Sequence, residues 1–316
     1  MVSGMQDIDR TCWKGIELEH PADWEMTRAS LGDDPASCAF ADRRYERLKL
    51  QWRALKYVPD LKDVIERRRQ EDQDGESSDW RTERLSGAAS GWQALVRRFE
   101  GGHVVHAGRF FDDARILMQA ILVWPGKRDR ALESRVLASV RPAGDRPAGS
   151  REWRAMGIRM QIASEFELLD YSADAGRIGW TFGGGKRRAR LRVERIAMPR
   201  YWLKSPLRDW LSARVEPDYR WISAGEAAVN GHTGARVISR GRLRAARVFG
   251  RGRPLGVDVA WKCPVEERVY HVRYRDMASG RETVALPDHV SVECCHEVGS
   301  PRAERAANVA GGAVRQ

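Results

Sequence analysis

The residues best suited to metal chemistry lie near the end of the chain: His289, Cys294, Cys295 and His296. Zinc sites draw Cys and His at local spacings such as Cys-x2-Cys or His-x3-His. Cys294 and Cys295 are adjacent, and on a strand adjacent side chains point to opposite faces, so one chelate is not expected to use both. His103 and His106 are three apart in a strand-like stretch and face away from each other. Gly183-Gly184-Gly185-Lys186 lacks the Gly-x4-Gly-Lys-Ser/Thr spacing of a phosphate loop and reads as a hairpin turn. Asp112-Asp113 reads as a solvated turn, not an acid–base pair. No Gly-x-Ser-x-Gly elbow occurs, and nothing local supports a Cys/His nucleophilic pair. No catalytic, cofactor-binding or metal-binding residue is therefore assigned, and no cofactor is expected.

The most informative pattern is basic and has period two. Lys186, Arg188, Arg190 and Arg192 alternate with Arg187, Ala189, Leu191 and Val193. Arg240, Arg242 and Arg244 repeat the spacing, and His271, Arg273 and Arg275 lie opposite Tyr270, Val272 and Tyr274. On strands, this packs one sheet face and leaves the other basic. Arginine suits bidentate contacts with carboxylate or phosphate, so the pattern nominates a surface for an anionic partner. The competing reading is an ordinary solvated face, its arginines matched by glutamates.

The net charge of +11 is unevenly spread. Residues 1–150 hold 25 basic and 25 acidic side chains, and residues 151–316 hold 30 and 19. Only eight of the 55 basic residues are lysine, as a GC-rich coding sequence also produces. A basic half favours acidic protein, nucleic acid or anionic lipid as partner.

The elements that would carry these residues repeat. Strand patterns at Trp13–Pro21, from Trp24, and at Leu48–Arg53 precede a helix capped by Asp60 and running through Arg69. Strands then follow at Trp92–Val96, His103–Phe111 and Arg115–Trp124, with a closing amphipathic element at Leu132–Val140. The Pro/Gly-rich stretch 142–150 reads as a linker. The order then begins again: Trp153–Met160, Phe166–Leu169, Ile178–Phe182, Leu191–Val193, and a helix capped by Ser205 with Pro206 at its first position. Further strands are expected at Arg236–Ile238, Leu243–Phe249, Val257–Trp261, Val269–Tyr274 and Val290–Cys294. The offset between matching segments is about 140 residues, which indicates internal duplication. Antiparallel sheets with packed helices follow, an α+β class with two tandem similar domains, 10–141 and 151–296, and a disordered tail at 297–316. Most of the 12 tryptophans fall on inward strand positions, while Trp202, eight residues before Trp210, either shares a helical face with it or, standing ahead of the helix cap, sits in an exposed loop.

The phrase Gly15-Ile16-Glu17-Leu18-Glu19-His20-Pro21-Ala22-Asp23-Trp24 resembles the opening of bacterial members of one superfamily. It is the superfamily of the photosystem II extrinsic protein P and the yeast Ran-binding nuclear-import protein. The resemblance covers residues 13–140, including Glu133-Ser134 in the final helix, and extends to 153–295 with Ala163 and Phe166 replacing the proline and second tryptophan. It implies a role in binding or stabilising other proteins and brings no catalytic motif.

Five cysteines at irregular spacing argue against a disulfide framework and for a reducing, cytoplasmic setting. No apolar run reaches the roughly 18 residues of a membrane helix, and no secretory signal is visible. The leading expectation is a non-enzymatic binding or assembly protein with a protein partner. The alternative is a nucleic-acid-associated protein acting through its basic half, and a third is an enzyme with a pocket between the domains.

Overall fold

The computed structural model describes residues 7–71, 80–85, 87–144, 149–184, 189–242, 254–276, 286 and 290–295. The expected strand at 243–249, the turn residues 185–188 (with Lys186 and Arg188), Arg244, His289, His296 and the tail 297–316 lie outside them. The chain divides into two compact units, 1–145 with 153–156, and 146–152 with 157–316.

In the first unit, β1 (Ile8–Trp13) and β2 (Ile16–Pro21) form a hairpin. The sequence pattern of Trp13–Pro21 suggests one strand here. Lys14 and Gly15 both take positive φ, at 47° and 75°, which is the conformation of a two-residue hairpin turn. The main sheet holds β3 (Glu25–Ala29), β4 (Ala36–Ala41), β5 (Glu46–Ala54), β6 (Trp80–Arg84), β7 (Gln93–Phe99), β8 (Gly102–Phe111) and β9 (Ile116–Pro125), in the order β3-β4-β5-β9-β8-β7-β6. Helix α1 (Leu61–Glu71) starts where Asp60 accepts from the Lys62 amide at 2.8 Å, and it packs on β7 and β8. Helix α2 (Arg130–Ser139) is capped by Asp129 and turns Val136 and Leu137 inward. The expected linker is partly structured: β10 (Arg141–Pro142) pairs with β2, and β11 (Ser150–Ala155) begins at its far end. Pro142 is tolerated because β10 is a two-residue edge strand. Trp153 of β11 meets Trp13 edge to face at 5.3 Å.

The second unit contains β12 (Ile158–Ala163), β13 (Phe166–Asp174), β14 (Arg177–Gly184), β15 (Ala189–Ala197), β16 (Tyr219–Val229), β17 (His232–Gly241), β18 (Leu255–Cys263), β19 (Arg268–Asp276) and β20 (Ser291–Glu293). Its main sheet runs β13-β14-β15-β19-β18-β17-β16, the strand order of the first unit again. Met156 and Gly157, with φ of 51° and 70°, repeat the Lys14-Gly15 turn 142 residues on. Ala155, not Trp153, therefore stands where Trp13 stood. Between β15 and β16 lie α3 (Pro199–Trp202) and α4 (Leu207–Ala213). The helix expected to start at Ser205 starts at Leu207, with Pro206 in the cap position and no side-chain cap. Trp202 is half-buried against Trp210, ring centroids 5.5 Å apart, and its Nε1–H donates to the Ala197 carbonyl at 2.7 Å.

Every strand pairing described is antiparallel, and the helices are few and short. The α+β expectation therefore narrows to a sheet-rich fold. Leu211 of α4 seals against Ala235, Val237 and Ala260, the apolar end of one sheet face. The opposite face carries Trp180, Phe182, Leu191, Val193, Val257, Val272 and Tyr274, all buried. Among the described residues, no helix is long and apolar enough to cross a membrane.

Candidate functional site

The alternation read from β15 and β19 is real, but the helix-side face it creates is a charge network. Antiparallel register aligns Glu194 with His271 and Arg192 with Arg273, and on β18 it sets Asp258 beside Arg273. These side chains share the face on which α4 packs. His271 is fully buried between two carboxylates: Nδ1 is 3.0 Å from Glu194 and Nε2 is 3.0 Å from Asp258. Both ring nitrogens face carboxylate oxygens.

Arginines complete the network. Glu194 accepts from Arg177 Nε at 3.0 Å and Arg192 at 3.1 Å, and pairs with Arg214 at 3.4 Å. Asp258 holds Arg273 Nε and Arg275 Nη1, each at 2.8 Å. Glu216, which follows α4, bridges the same two arginines at 2.8 and 3.3 Å. Trp210 closes over His271, centroid to centroid 5.8 Å and nearly perpendicular, and Arg214 stacks on Trp210 at 4.8 Å. Burial pushes the Glu194 carboxyl up, but His271, Arg177 and Arg192 overcome it and hold the group well below the usual carboxylate range. For Asp258, burial is likewise overcome by His271, Arg275 and Arg273.

The arrangement consumes its own chemistry. A general base needs an accessible nitrogen within reach of a proton to be moved. His271 has neither a free ring nitrogen nor exposure. Buried charges paired in this way favour one arrangement of strands and helix, whatever their net contribution to stability.

The nine residues nominated from the sequence thus divide. Arg192, Arg273 and Arg275 belong to the network, with Arg275 buried and tied to Asp258 and Glu216. Arg190 and Arg242 are exposed, and Arg240 is half-buried on β17. Lys186, Arg188 and Arg244 lie outside the described residues. The sequence reading passed over the two acids that organise the face. Each carried a signal: Glu194 is the one acid in the Arg-rich β15, and Asp258 the one acid in the apolar β18. A carboxylate on a buried strand requires a charged or hydrogen-bonding partner.

At the sheet's outer edge, the eleven-residue β16 pairs with β17 on one side and, among the described residues, ends the sheet on the other. A register shift between Trp221 and Ser223 inserts Ile222 as a bulge residue. Trp221 is 59% exposed and Ile222 46%. Arg220 lies beside them, and Arg240 opposite.

A further group gathers His232, Cys263, Cys294 and Cys295, whose ligand atoms all lie within 4.8 Å of one another. The two adjacent cysteines were expected to point apart. They converge because β20 ends at Glu293 and the chain bends at Cys295, so strand alternation no longer applies.

No protein-family profile and no curated protein matches the chain. Among solved structures it is similar to the apo form of "immunity protein TplEi of T6SS from Pseudomonas aeruginosa", at 11% identity and TM-score 0.38, over 89% of this chain and 91% of that one. It is also similar to the same protein "complexed with 'L' peptide", at 11% identity and TM-score 0.36, over 89% and 90%.

Proposed function

We propose that the chain is a non-enzymatic binding or assembly protein whose second unit engages an acidic protein partner. The observation that carries this reading is the edge strand β16. A long outer strand offers a row of backbone donors and acceptors to an incoming segment. Its bulge turns Trp221 and Ile222 to solvent among Arg220, Arg240 and Arg242. Tryptophan and arginine are the residues that most often dominate binding energy at protein interfaces. The self-contained His271 network supports the non-enzymatic part of the reading. The repeated strand order supports a tandem duplication, and the resemblance to the superfamily of the photosystem II extrinsic protein P accords with a binding role.

Capture from native lysate, with and without nuclease, tests this. A protein partner that survives nuclease is expected. Trp221→Ala should weaken its capture by about 30-fold, matching a central interface residue of about 2 kcal/mol. Arg220→Glu combined with Arg242→Glu should weaken an acidic partner further, while Tyr57→Ala, an exposed control in the first unit, changes nothing. The competing reading is nucleic acid bound through the basic half. Its signature is capture abolished by nuclease and steeply weakened by salt, and that result would displace the protein-binding reading.

A further inference from the structure

The four-residue Cys/His group lies apart from the charge network and from the β16 edge. His232 opens β17 and Cys263 closes β18. The register Gly234↔Trp261, continued by two residues on each strand, makes them cross-strand neighbours. Cys294 and Cys295 arrive from β20, which is held in place by pairing of Ser291, Val292 and Glu293 with β12. The Asn230 side chain also donates to the Val292 carbonyl at 2.6 Å. Cys263 and Cys294 are buried, His232 and Cys295 half-buried.

We propose that His232, Cys263, Cys294 and Cys295 form a structural zinc site, with three thiolates and one imidazole around a single Zn2+. Zinc bond lengths of about 2.3 Å to sulfur and about 2.0 Å to nitrogen place neighbouring ligand atoms roughly 3.5–3.8 Å apart in a tetrahedron. The Cys295 Sγ to His232 Nε2 distance is 3.4 Å, and every other pair lies within 4.8 Å, so small side-chain movements complete the coordination. The donor set is soft, which suits zinc and excludes calcium and magnesium. Four protein ligands leave no open position, the pattern of structural rather than catalytic zinc. Beside Cys294 lies the buried Trp261 indole N–H, within reach of that sulfur. An N–H group next to sulfur is a common outer-shell support for a thiolate ligand. Binding displaces the three thiol protons to solvent and leaves the site with a net charge of −1. The ion would fasten the three-residue β20 to the ends of β17 and β18.

The test uses the full chain under reductant. As purified, it should carry about one zinc per chain by elemental mass spectrometry. After chelator treatment, Co2+ should produce visible tetrahedral bands with thiolate-to-cobalt charge transfer, saturating at about one ion per chain and displaced by Zn2+. Cys263→Ala, Cys294→Ala and Cys295→Ala should each lose that spectrum, and His232→Ala should weaken the metal by at least about tenfold. Cys38→Ala, a buried cysteine of the first unit, should leave it intact. Should the cysteine variants fail to fold, X-ray absorption of the zinc-loaded wild type decides instead, with three sulfur neighbours and one nitrogen expected. Wild-type chain with no saturating thiolate–cobalt band overturns the proposal. So does a native disulfide within the group, or a spectrum that survives both Cys263→Ala and Cys295→Ala.

Discussion

Around Ile65 of α1, the first sheet sets Lys49, Gln51, His106, Gly108, Gln119 and Ile121, which line a small hollow of about 20 Å³. Beneath α4, the second sheet sets Glu194, His271, Asp258, Arg192 and Arg273 on its own three central strands. The strand order is the same and the helix arrives between the same two strands of the series. The first unit thus leaves a shallow, largely apolar recess where the second has interlocked charges. In the first unit, the comparable charge cluster sits at α2, which follows the last strand of its main sheet. There Glu133, buried, accepts from Trp124 at 3.0 Å and from Arg128 Nε at 2.8 Å, and Arg128 reaches Glu83 at 2.8 Å. One fold therefore supports two ways of seating a helix on a sheet, because strand pairing is fixed by the backbone while the helix-side row is open to substitution.

The sharpest break in this comparison is removal of an acid. Asp258→Ala leaves His271, Arg273 and Arg275 without their shared counter-charge and should cost about 3–5 kcal/mol. Gln51→Ala, on the recess of the first unit, should cost below about 1 kcal/mol. Urea unfolding followed by tryptophan fluorescence measures both, and equal costs would erase the distinction.

Acid gives the next largest effect. Glu194 and Asp258 have folded-state values below their ordinary 4.5 and 3.8. Their stabilisation is therefore fully present above about pH 5 and is lost as pH falls through and below the ordinary carboxylate range. Wild type should lose stability on acidification from pH 5 to pH 3, and Glu194→Gln with Asp258→Asn should flatten that slope. Asp9, Glu17 and Asp42 of the first unit are also lowered, so part of the slope remains.

A pair of glycines sharpens the contrast at smaller scale. A Cβ on Gly108 would meet Ile65 at ordinary contact distances of 3.6 and 3.7 Å. Gly108→Ala should stabilise by about 0.5 kcal/mol through reduced unfolded-chain entropy. On Gly256 a Cβ would lie 2.6 Å from Arg275 Nη1 and Ser239 Oγ. Arg275 is pinned by Asp258 and Glu216 and cannot yield, so Gly256→Ala should cost about 1–3 kcal/mol. Thermal melting in parallel checks the opposite signs. The smallest expected change is Arg242→Ala, exposed at the end of β17, which should alter stability by less than about 0.5 kcal/mol.

Much of the strand inventory was legible because buried strands alternate: β5, β8, β9, β15 and β19 all stand where period-two patterns occur. The edge strand β16 was not, because Gly225, Ala227 and Ala228 interrupt an exposed segment with no buried face to impose alternation. The β1–β2 hairpin was read as one strand because its turn, Lys14-Gly15, continues the polar–apolar rhythm. The basic rows were legible as rows, but their partners were not. Glu194, Asp258 and His271 stand 64 and 13 residues apart and meet only through cross-strand register. The same holds for His232, Cys263 and the Cys294-Cys295 pair, whose long separations match no local ligand spacing. Sequence proximity reports helices and turns well, and antiparallel partners poorly.

The repeated strand order carries a hazard for assembly. A chain with two sheets of one topology can seat a strand of one in the vacancy of the other while it folds, a recognised failure of repeated domains. The helix-side rows make such an exchange costly. Lodged between β4 and β9 in place of β5, β15 would set Glu194 at the position of Gln51, beside Gln119, with no histidine or arginine partner from β19 in reach. Replacing the network by apolar residues should then lower the yield of correctly refolded chain even where it raises stability, which dilution refolding measures directly. The buried charges of the second unit act in this way as an address, readable only in the sheet to which β15 belongs.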